Sequence, residues 1–230
     1  MFRIGILGAA DIAFNKFIPA LMKVEGVECA GVASNSPDKL KRFVEKYNVH
    51  VYSSYNEVIG DDSVDCVYIP LPPAFHYEWA KKALLAGKHV FLEKPSTTSA
   101  DDTRELVGIA GEKGLVVQEN YMFQFHAQLK EIENLIASGE LGKLRLVRTS
   151  FGFPRRAEGD FRYVKELGGG TMMDNGGYTI KLIDMLLGES MRLVSSQLDY
   201  DEKTGIDIFG TAEFVNDDGV IAQAAFGMDC

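Results

Sequence analysis

Two short stretches of this chain carry residue types suited to chemistry on a ligand. In Val90-Phe91-Leu92-Glu93-Lys94-Pro95, two opposite charges and a proline follow an apolar run that reads as a buried strand. Open α/β sheets bind ligands at the carboxyl ends of their strands, so an ammonium at Lys94 is placed to enter such a crevice. Pro95 fixes the chain direction and biases Lys94 toward an extended conformation. Glu93 and Lys94 could equally be the solvated exit of a strand, and the tripeptide alone favours that plainer reading. The other stretch, Gly8-Ala9-Ala10-Asp11-Ile12-Ala13, lies where a strand gives way to a helix. Gly8 permits a tight turn, Ala9 and Ala10 let the backbone approach a pyrophosphate, and Ala13 lets the helix pack closely on the strand. Two of the three glycines usual in a dinucleotide fingerprint are alanines here, and strand–glycine–helix turns also occur where nothing binds.

The end of the second strand bears on which dinucleotide would fit. A carboxylate there hydrogen-bonds an adenosine ribose 2′-hydroxyl and repels a 2′-phosphate. The chain instead reads Ala33-Ser34-Asn35-Ser36, with no acid before Asp38 and with Lys39 close by. Hydroxyls and an ammonium favour NADP, while the absence of an arginine leaves NAD open. The missing carboxylate also counts against an S-adenosylmethionine methyltransferase.

Elements that could hold these stretches follow from hydrophobic periodicity. Strands are expected at 3–7, 27–33, 64–70, 89–92 and 115–118, alternating with helices over 12–21, 38–47, 77–86 and 100–112. Apolar strands alternating with amphipathic helices indicate a parallel sheet covered on both faces, the doubly wound Rossmann architecture. The rhythm changes near Asn120. A helix over 128–138, a one-sided strand over 143–153 expected to be antiparallel, a helix over 171–187 and strands at 191–200, 206–215 and 220–226 indicate an α+β domain with an open, mostly antiparallel sheet. Domains are thus expected at 1–120 and 121–230. The last strand stops without a cap or polar tail, and a bare sheet edge is an aggregation hazard. An incomplete second domain in a truncated chain is therefore expected, with a natural full-length chain as the alternative.

Composition narrows the function classes. With 46% apolar and 25% charged residues the chain is an ordinary globule able to bury a core. Its formal charge of -9 argues against nucleic-acid and acidic-membrane partners. No apolar run is long enough to span a bilayer and no signal-peptide anatomy follows Met1, so a cytoplasmic location is expected. Cys29, Cys66 and Cys230 match neither a metal knuckle nor a redox pair, read as buried thiols, and no metal is expected.

The chain resembles the glucose-fructose oxidoreductase, inositol dehydrogenase and MocA family. The likeness rests on Gly8 through Ala13, on Ile69-Pro70-Leu71-Pro72 with His76, on Glu93-Lys94-Pro95, and on Leu167-Gly168-Gly169-Gly170 through Asp174 to Tyr178. Four motifs in register span essentially the whole chain and reverse the plainer readings of Lys94 and of the glycine turn. The resemblance implies a Rossmann domain followed by an α+β domain whose sheet often serves oligomer contacts, hence a homo-oligomer. The family lysine falls on Lys94, where it contacts the reacting oxygen and the nicotinamide ribose. The acid/base of the third motif, histidine in many members and tyrosine in the glucose-fructose and ketosugar-reductase branch, falls on Tyr178, and the motif's aspartate on Asp174.

The residues agree with those implied roles. Asp174 and Tyr178 lie four apart on one helix face, and Gly168 to Gly170 would let backbone pass close to a ligand. A phenol of pKa about 10 donates poorly at neutral pH, and an ammonium such as Lys94 beside it would favour the phenolate. Such a pair, brought together from the two domains beside a nicotinamide ring, could protonate the alkoxide formed as hydride arrives. The cofactor contacts expected are Gly8, Ala9, Ala10, Asp11, Ile12, Ser34, Asn35, Ser36, Lys39, Pro70, Leu71, Pro72, His76, Glu93 and Lys94. Tyr121, Phe123, Arg162, Asp174 and Tyr178 are the substrate-side candidates, with interface packing the alternative for the aromatics and a plain surface position for Arg162. Lys181 stands where many members carry aspartate and Gln124 where arginine is common, so an inositol-type substrate does not carry over. Tyr178 with Gly176-Gly177 before it points to sugar ketoreductases, including those acting on nucleotide sugars. The expected function is hydride transfer between NADP(H) or NAD(H) and a sugar-like hydroxyl or ketone. The competing reading is a non-catalytic NAD(P)-binding sensor or a truncated, inactive relative.

Overall fold

The computed structural model describes residues 1–157 and 159–230 and divides into two units, Met1–Asn120 and Tyr121–Cys230. In the first unit, β1 (Phe2–Leu7), β2 (Val27–Ala33), β3 (Cys66–Ile69), β4 (His89–Glu93) and β5 (Val117–Asn120) form a parallel sheet in the order β2-β1-β3-β4-β5. The order reverses beside β1, which opens a crevice over the carboxyl ends of β1 and β3. The segments after β1, β3 and β4 therefore lie at one end of the sheet, the end where a doubly wound fold takes its ligand.

Helices α1 (Ile18–Leu21), α2 (Pro37–Tyr47), α3 (Tyr55–Gly60), α4 (His76–Leu85) and α5 (Ala100–Lys113) accompany the sheet. One core gathers Leu7, Val58, Val67, Ile69, Leu84, Leu92 and Leu106, and another gathers Ile6, Ile18, Val32, Phe43 and Tyr68. Strands β1, β2 and β3 thus bury side chains in both directions, which is why their sequences read as mostly apolar. Phe17 stacks on Tyr68 at 3.7 Å, fixing the start of α1 to β3.

Helix α3 is not among the expected helices. Its start carries a capping signature, with the Ser54 hydroxyl accepting from the Glu57 N–H (3.1 Å) and the Glu57 carboxylate accepting from the Ser53 N–H (2.6 Å). A cap of this kind is worth about 1 kcal/mol, appreciable for a six-residue helix. β5 starts two residues later than expected. Gly114 ends α5 in a left-handed conformation, and the Leu115 N–H caps the Ala110 carbonyl before the strand begins.

In the second unit, α6 (Ala127–Ala137) precedes β6 (Leu146–Gly152), and α7 (Gly177–Leu187) precedes β7 (Arg192–Tyr200), β8 (Asp207–Val215) and β9 (Ile221–Gly227). The sheet order is β6-β9-β8-β7. β7–β8 and β8–β9 are antiparallel, but β6 runs parallel to β9, against the expectation that it would be antiparallel. Alternating exposure is common to both kinds of edge strand, so the pattern that located β6 carried no information about its partner's direction. α7 covers one face of the sheet, where Ile183 packs with Ala212, Ala222, Ala224 and Phe226. Two helices differ from the expected 3.6-residue period, since π-helical turns at Ala13–Phe17 and Met172–Gly176 lead into α1 and α7. Among the described residues no helix is long and apolar enough to cross a membrane.

Candidate active site

The crevice of the first unit contains a cavity of about 450 Å³. Its walls include Gly8, Ala9, Ala10, Ser34, Asn35, Ser36, Lys39, Pro70, Leu71 and Pro72, all expected at the cofactor. Gly8 adopts φ +119°, and a Cβ there would stand 2.8 Å from the Leu71 side chain. Both the turn and the approach of the two loops thus require the absence of a side chain. The Gly8 N–H donates to Ala33 (2.9 Å), and the Ser34 hydroxyl accepts from the Ser36 N–H (3.0 Å), so the two loops are braced from within. Asp11 is exposed and turned to Arg42 (2.7 Å), whose guanidinium also donates to the Ala9 carbonyl (3.3 Å). Ile12 is partly buried at the start of the helical segment, outside the cavity walls.

Four further wall residues, Tyr55, Phe75, Glu78 and Trp79, were not anticipated. Tyr55 and Trp79 meet edge to face at 5.0 Å, and burial raises the pKa of the Tyr55 phenol. Their sequence signal was weak, because an aromatic on an amphipathic helix is indistinguishable from core. The donor set suits a nicotinamide dinucleotide. A side-chain-free turn faces a cavity whose rim at the end of β2 carries hydroxyls and one ammonium, and no carboxylate follows β2 before Asp38.

Glu93 and His76, expected at the cofactor, also make bonds within the unit, Glu93 to the neighbouring strands β3 and β5 and His76 to the loops after β3 and β4. Glu93 is buried, and one of its carboxylate oxygens accepts from the Tyr68 hydroxyl and from Asn120 Nδ2 (2.7 Å). Burial, followed by the charge of Glu93, pushes the Tyr68 pKa far up, so the phenol stays protonated as donor. His76 is fully buried, with Nδ1 2.8 Å from the Pro95 carbonyl and Nε2 2.7 Å from that of Leu71. One imidazole thereby ties the segment after β3 to the segment after β4. Burial lowers its pKa against the pull of those carbonyls and of Glu93. Lys94 is half-buried and lies in the chain between Glu93 and Pro95, the residue whose carbonyl meets His76, and the Lys94–Pro95 peptide is cis.

The second unit holds the substrate-side candidates. Tyr178 is the second residue of α7, and Asp174 sits in the π turn before it. Asp174 accepts from Arg162 Nε (2.8 Å), and Asp160 accepts from Arg162 Nη1 (3.1 Å). With two carboxylates on one guanidinium this cluster has a formal charge of -1. The Arg162 guanidinium, a substrate-side candidate, is thus bonded to two carboxylates of its own chain, one of them Asp174. Gly169 also departs from expectation, because a Cβ there would lie 2.5 Å from the Arg162 carbonyl. The close approach that the glycine run permits is to the chain itself.

Three rings surround Tyr178, those of Tyr121, Phe151 and Phe123, with centroids at 5.0, 5.2 and 5.8 Å. Tyr178 lines a cavity of about 610 Å³ with Met122, Phe123, Arg148, Thr149, Ser150, Phe151, Thr179 and Leu182. Tyr121, expected to contact substrate, is buried behind Tyr178 and is absent from those walls. Among the described residues no group of three or more histidine, cysteine, aspartate or glutamate side chains could hold a metal ion.

Comparison with known proteins agrees with this geometry. Residues 2–121 match an oxidoreductase family with an NAD-binding Rossmann fold, GFO/IDH/MocA, and residues 129–230 match the GFO/IDH/MocA C-terminal domain. The chain is 39% identical over 229 residues to a dTDP-3,4-didehydro-2,6-dideoxy-alpha-D-glucose 3-reductase of Streptomyces violaceoruber, covering 99% of this chain and 67% of that one. It is 37% identical over 227 residues to the enzyme of the same name from Actinomadura kijaniata, covering 99% and 68%. A crystal structure of a 3-ketoreductase from Actinomadura kijaniata, in complex with NADP and TDP-benzene, superposes with a TM-score of 0.96 at 36% identity, over 100% of this chain and 70% of that chain. With both units matched, the chain belongs to the GFO/IDH/MocA family of NAD(P)-dependent oxidoreductases.

Proposed function

We propose that this protein reduces a ketone on a nucleotide-linked deoxysugar, with NADPH as the hydride source. The observation that carries this reading is Tyr178 on the wall of a cavity otherwise bounded by Met122, Phe123, Phe151 and Leu182 as well as a few polar groups. A phenol is a proton donor that an apolar pocket can keep away from water, and walls of this kind suit a sugar that has lost hydroxyls. The names of the relatives at 37% and 39% identity support the same substrate class. Hydroxyls and Lys39 at the end of β2 support NADPH over NADH, as does the NADP held in the matching crystal structure.

The roles divide between the units. Residues 1–120 act as the cofactor-binding domain, in which the Gly8 turn and Ser34 through Ser36 with Lys39 hold the dinucleotide. The cofactor, when bound, supplies the hydride. Lys94 orients and polarises the ketone oxygen, and Tyr178 delivers a proton to that oxygen as negative charge develops on it. Residues 121–230 act as the substrate domain, with the uncovered sheet face as the surface for a homo-oligomer, and the enzyme works in the cytoplasm. Solved structures of the Actinomadura kijaniata enzyme include variants in which a tyrosine is changed to phenylalanine and a lysine to alanine or glutamate. Those two positions are as many residues apart as Lys94 and Tyr178, which supports the pairing of roles.

The deciding assay supplies NADPH and a dTDP-linked 3-keto-deoxysugar and follows the loss of reduced-cofactor absorbance together with formation of the hydroxylated product. Turnover with the keto sugar, and none with free aldoses, is expected. Tight NADPH binding without turnover on any keto sugar would leave the non-catalytic sensor as the surviving reading.

A further inference from the structure

The residue before Tyr178 carries an unexplained glycine. Gly177 has φ −57° and ψ −35°, an ordinary helical conformation open to any residue. Glycine is a poor helix former, so the backbone gives no reason for it at the first position of α7. The reason is spatial, since a Cβ at Gly177 would lie 2.0 Å from the Tyr121 hydroxyl oxygen and 3.1 Å from its Cζ. Tyr121 is thus seated on bare helix backbone, 6% exposed, with its ring edge-on to Tyr178 at an interplanar angle of 88°. Phe123 and Phe151 also touch Tyr178 and line its cavity, whereas Tyr121 lies outside the walls.

We propose that Tyr121 is a positioning residue, which holds the Tyr178 ring in one orientation and so aims its hydroxyl, and that Gly177 is glycine in order to admit it. The inference rests on the reading of Tyr178 as proton donor. A ring confined from three sides has few rotamers left to lose when substrate arrives, and a donor aimed in advance acts on the rate of the chemical step. Tyr121 should therefore affect turnover and leave binding alone.

Three variants and one spectroscopic measurement test this. Tyr121→Leu removes the ring, Gly177→Ala drives the ring out of its seat, and Tyr121→Phe keeps the ring without its hydroxyl. Tyr121→Leu and Gly177→Ala are each expected to lower kcat about 10-fold, with the KM for the keto sugar and the affinity for NADPH within about 2-fold of wild type. Tyr121→Phe should recover most of what Tyr121→Leu loses, and the double variant Tyr121→Leu/Gly177→Ala should be no slower than Tyr121→Leu, because both changes empty the same seat. A loss confined to KM, or full additivity in the double variant, would overturn the proposal. The measurement that needs no substrate is NMR of ring-labelled tyrosine, with Tyr178 assigned through Tyr178→Phe. Separate signals for the two ring edges are expected in the wild type, merging in Tyr121→Leu and in Gly177→Ala. Fast ring flips in the wild type would end the idea. A wild type that turns over no keto sugar defeats the proposed function alone, because the ring-flip result still decides whether Tyr121 confines Tyr178.

Discussion

The two units build their ligand-facing parts from different material. In Met1–Asn120 the cavity is walled at its turn by backbone and small side chains, Gly8, Ala9, Ala10, Ser34 and Ser36, braced by N–H donors and by the His76 ring. In Tyr121–Cys230 the cavity around Tyr178 is walled by large side chains, Phe123, Phe151, Met122 and Leu182. The turn side of the first cavity is harmed by adding atoms, and the ring-walled second cavity by removing them. On the reading proposed above, the first would recognise a shape common to many dinucleotides, and the second would discriminate by the bulk and polarity of one substrate.

That contrast can be broken or sharpened by substitution. The largest effect is expected from Tyr178→Phe, which should lower kcat about 10²–10⁴-fold with NADPH affinity unchanged, read by steady-state kinetics beside a titration of the Trp79 fluorescence. A fall in NADPH affinity there would mean that the two regions are not separable. Ser34→Asp, which places a carboxylate on the rim beside Lys39, should weaken NADPH binding about 30-fold and NADH binding far less. Equal loss of both would remove this rim from 2′-phosphate recognition. Gly8→Ala combines the strain of φ +119° with a Cβ 2.8 Å from Leu71, and about 1–2 kcal/mol of such strain should reduce cofactor affinity about 10-fold. If Gly8→Ala binds NADPH as the wild type does, the backbone character of this site is refuted. The smallest effect concerns thiols. Burial pushes the Cys66 thiol up to about 12 and that of Cys29 up to about 11, while Cys230 is exposed. At pH 8 the reactive thiolate fraction of Cys66 is then only about 10⁻⁴, so a thiol reagent should label one cysteine of the native protein quickly and the other two on unfolding. Rapid labelling of all three would show that the first unit opens readily.

Much of this arrangement was legible in the residues. The doubly wound sheet followed from apolar runs of strand length alternating with helical periods, and β2 was located at its true ends because Val27–Ala33 is apolar for most of its length and bounded by Gly26 and Ser34. The loops at the strand ends, from Gly8 to Pro72, were legible because small residues and prolines have few structural uses. The direction of β6 was not, since its alternation of exposure is shared by parallel and antiparallel edges. Tyr55 and Trp79 were missed because nothing in an aromatic side chain says whether it faces a core or a cavity. His76, Glu93 and Arg162 were read as ligand contacts because their chemistry allows it, and the sequence did not show that each also bonds within its own chain. A buried polar side chain must find a partner, and the nearest one is usually another part of the protein.

The parallel pairing of β6 with β9 also sets an order of events during synthesis. Leu146 bonds across to the segment at Ile221, so this part of the sheet cannot close until nearly all of the second unit has left the ribosome. The first unit has its last strand pair, β4 with β5, by Asn120. A nascent chain would therefore possess a finished dinucleotide crevice while the helix bearing Tyr178 still lacked the strands against which Ile183 packs, and early capture of NADPH would steady the emerging protein before any sugar could be reduced.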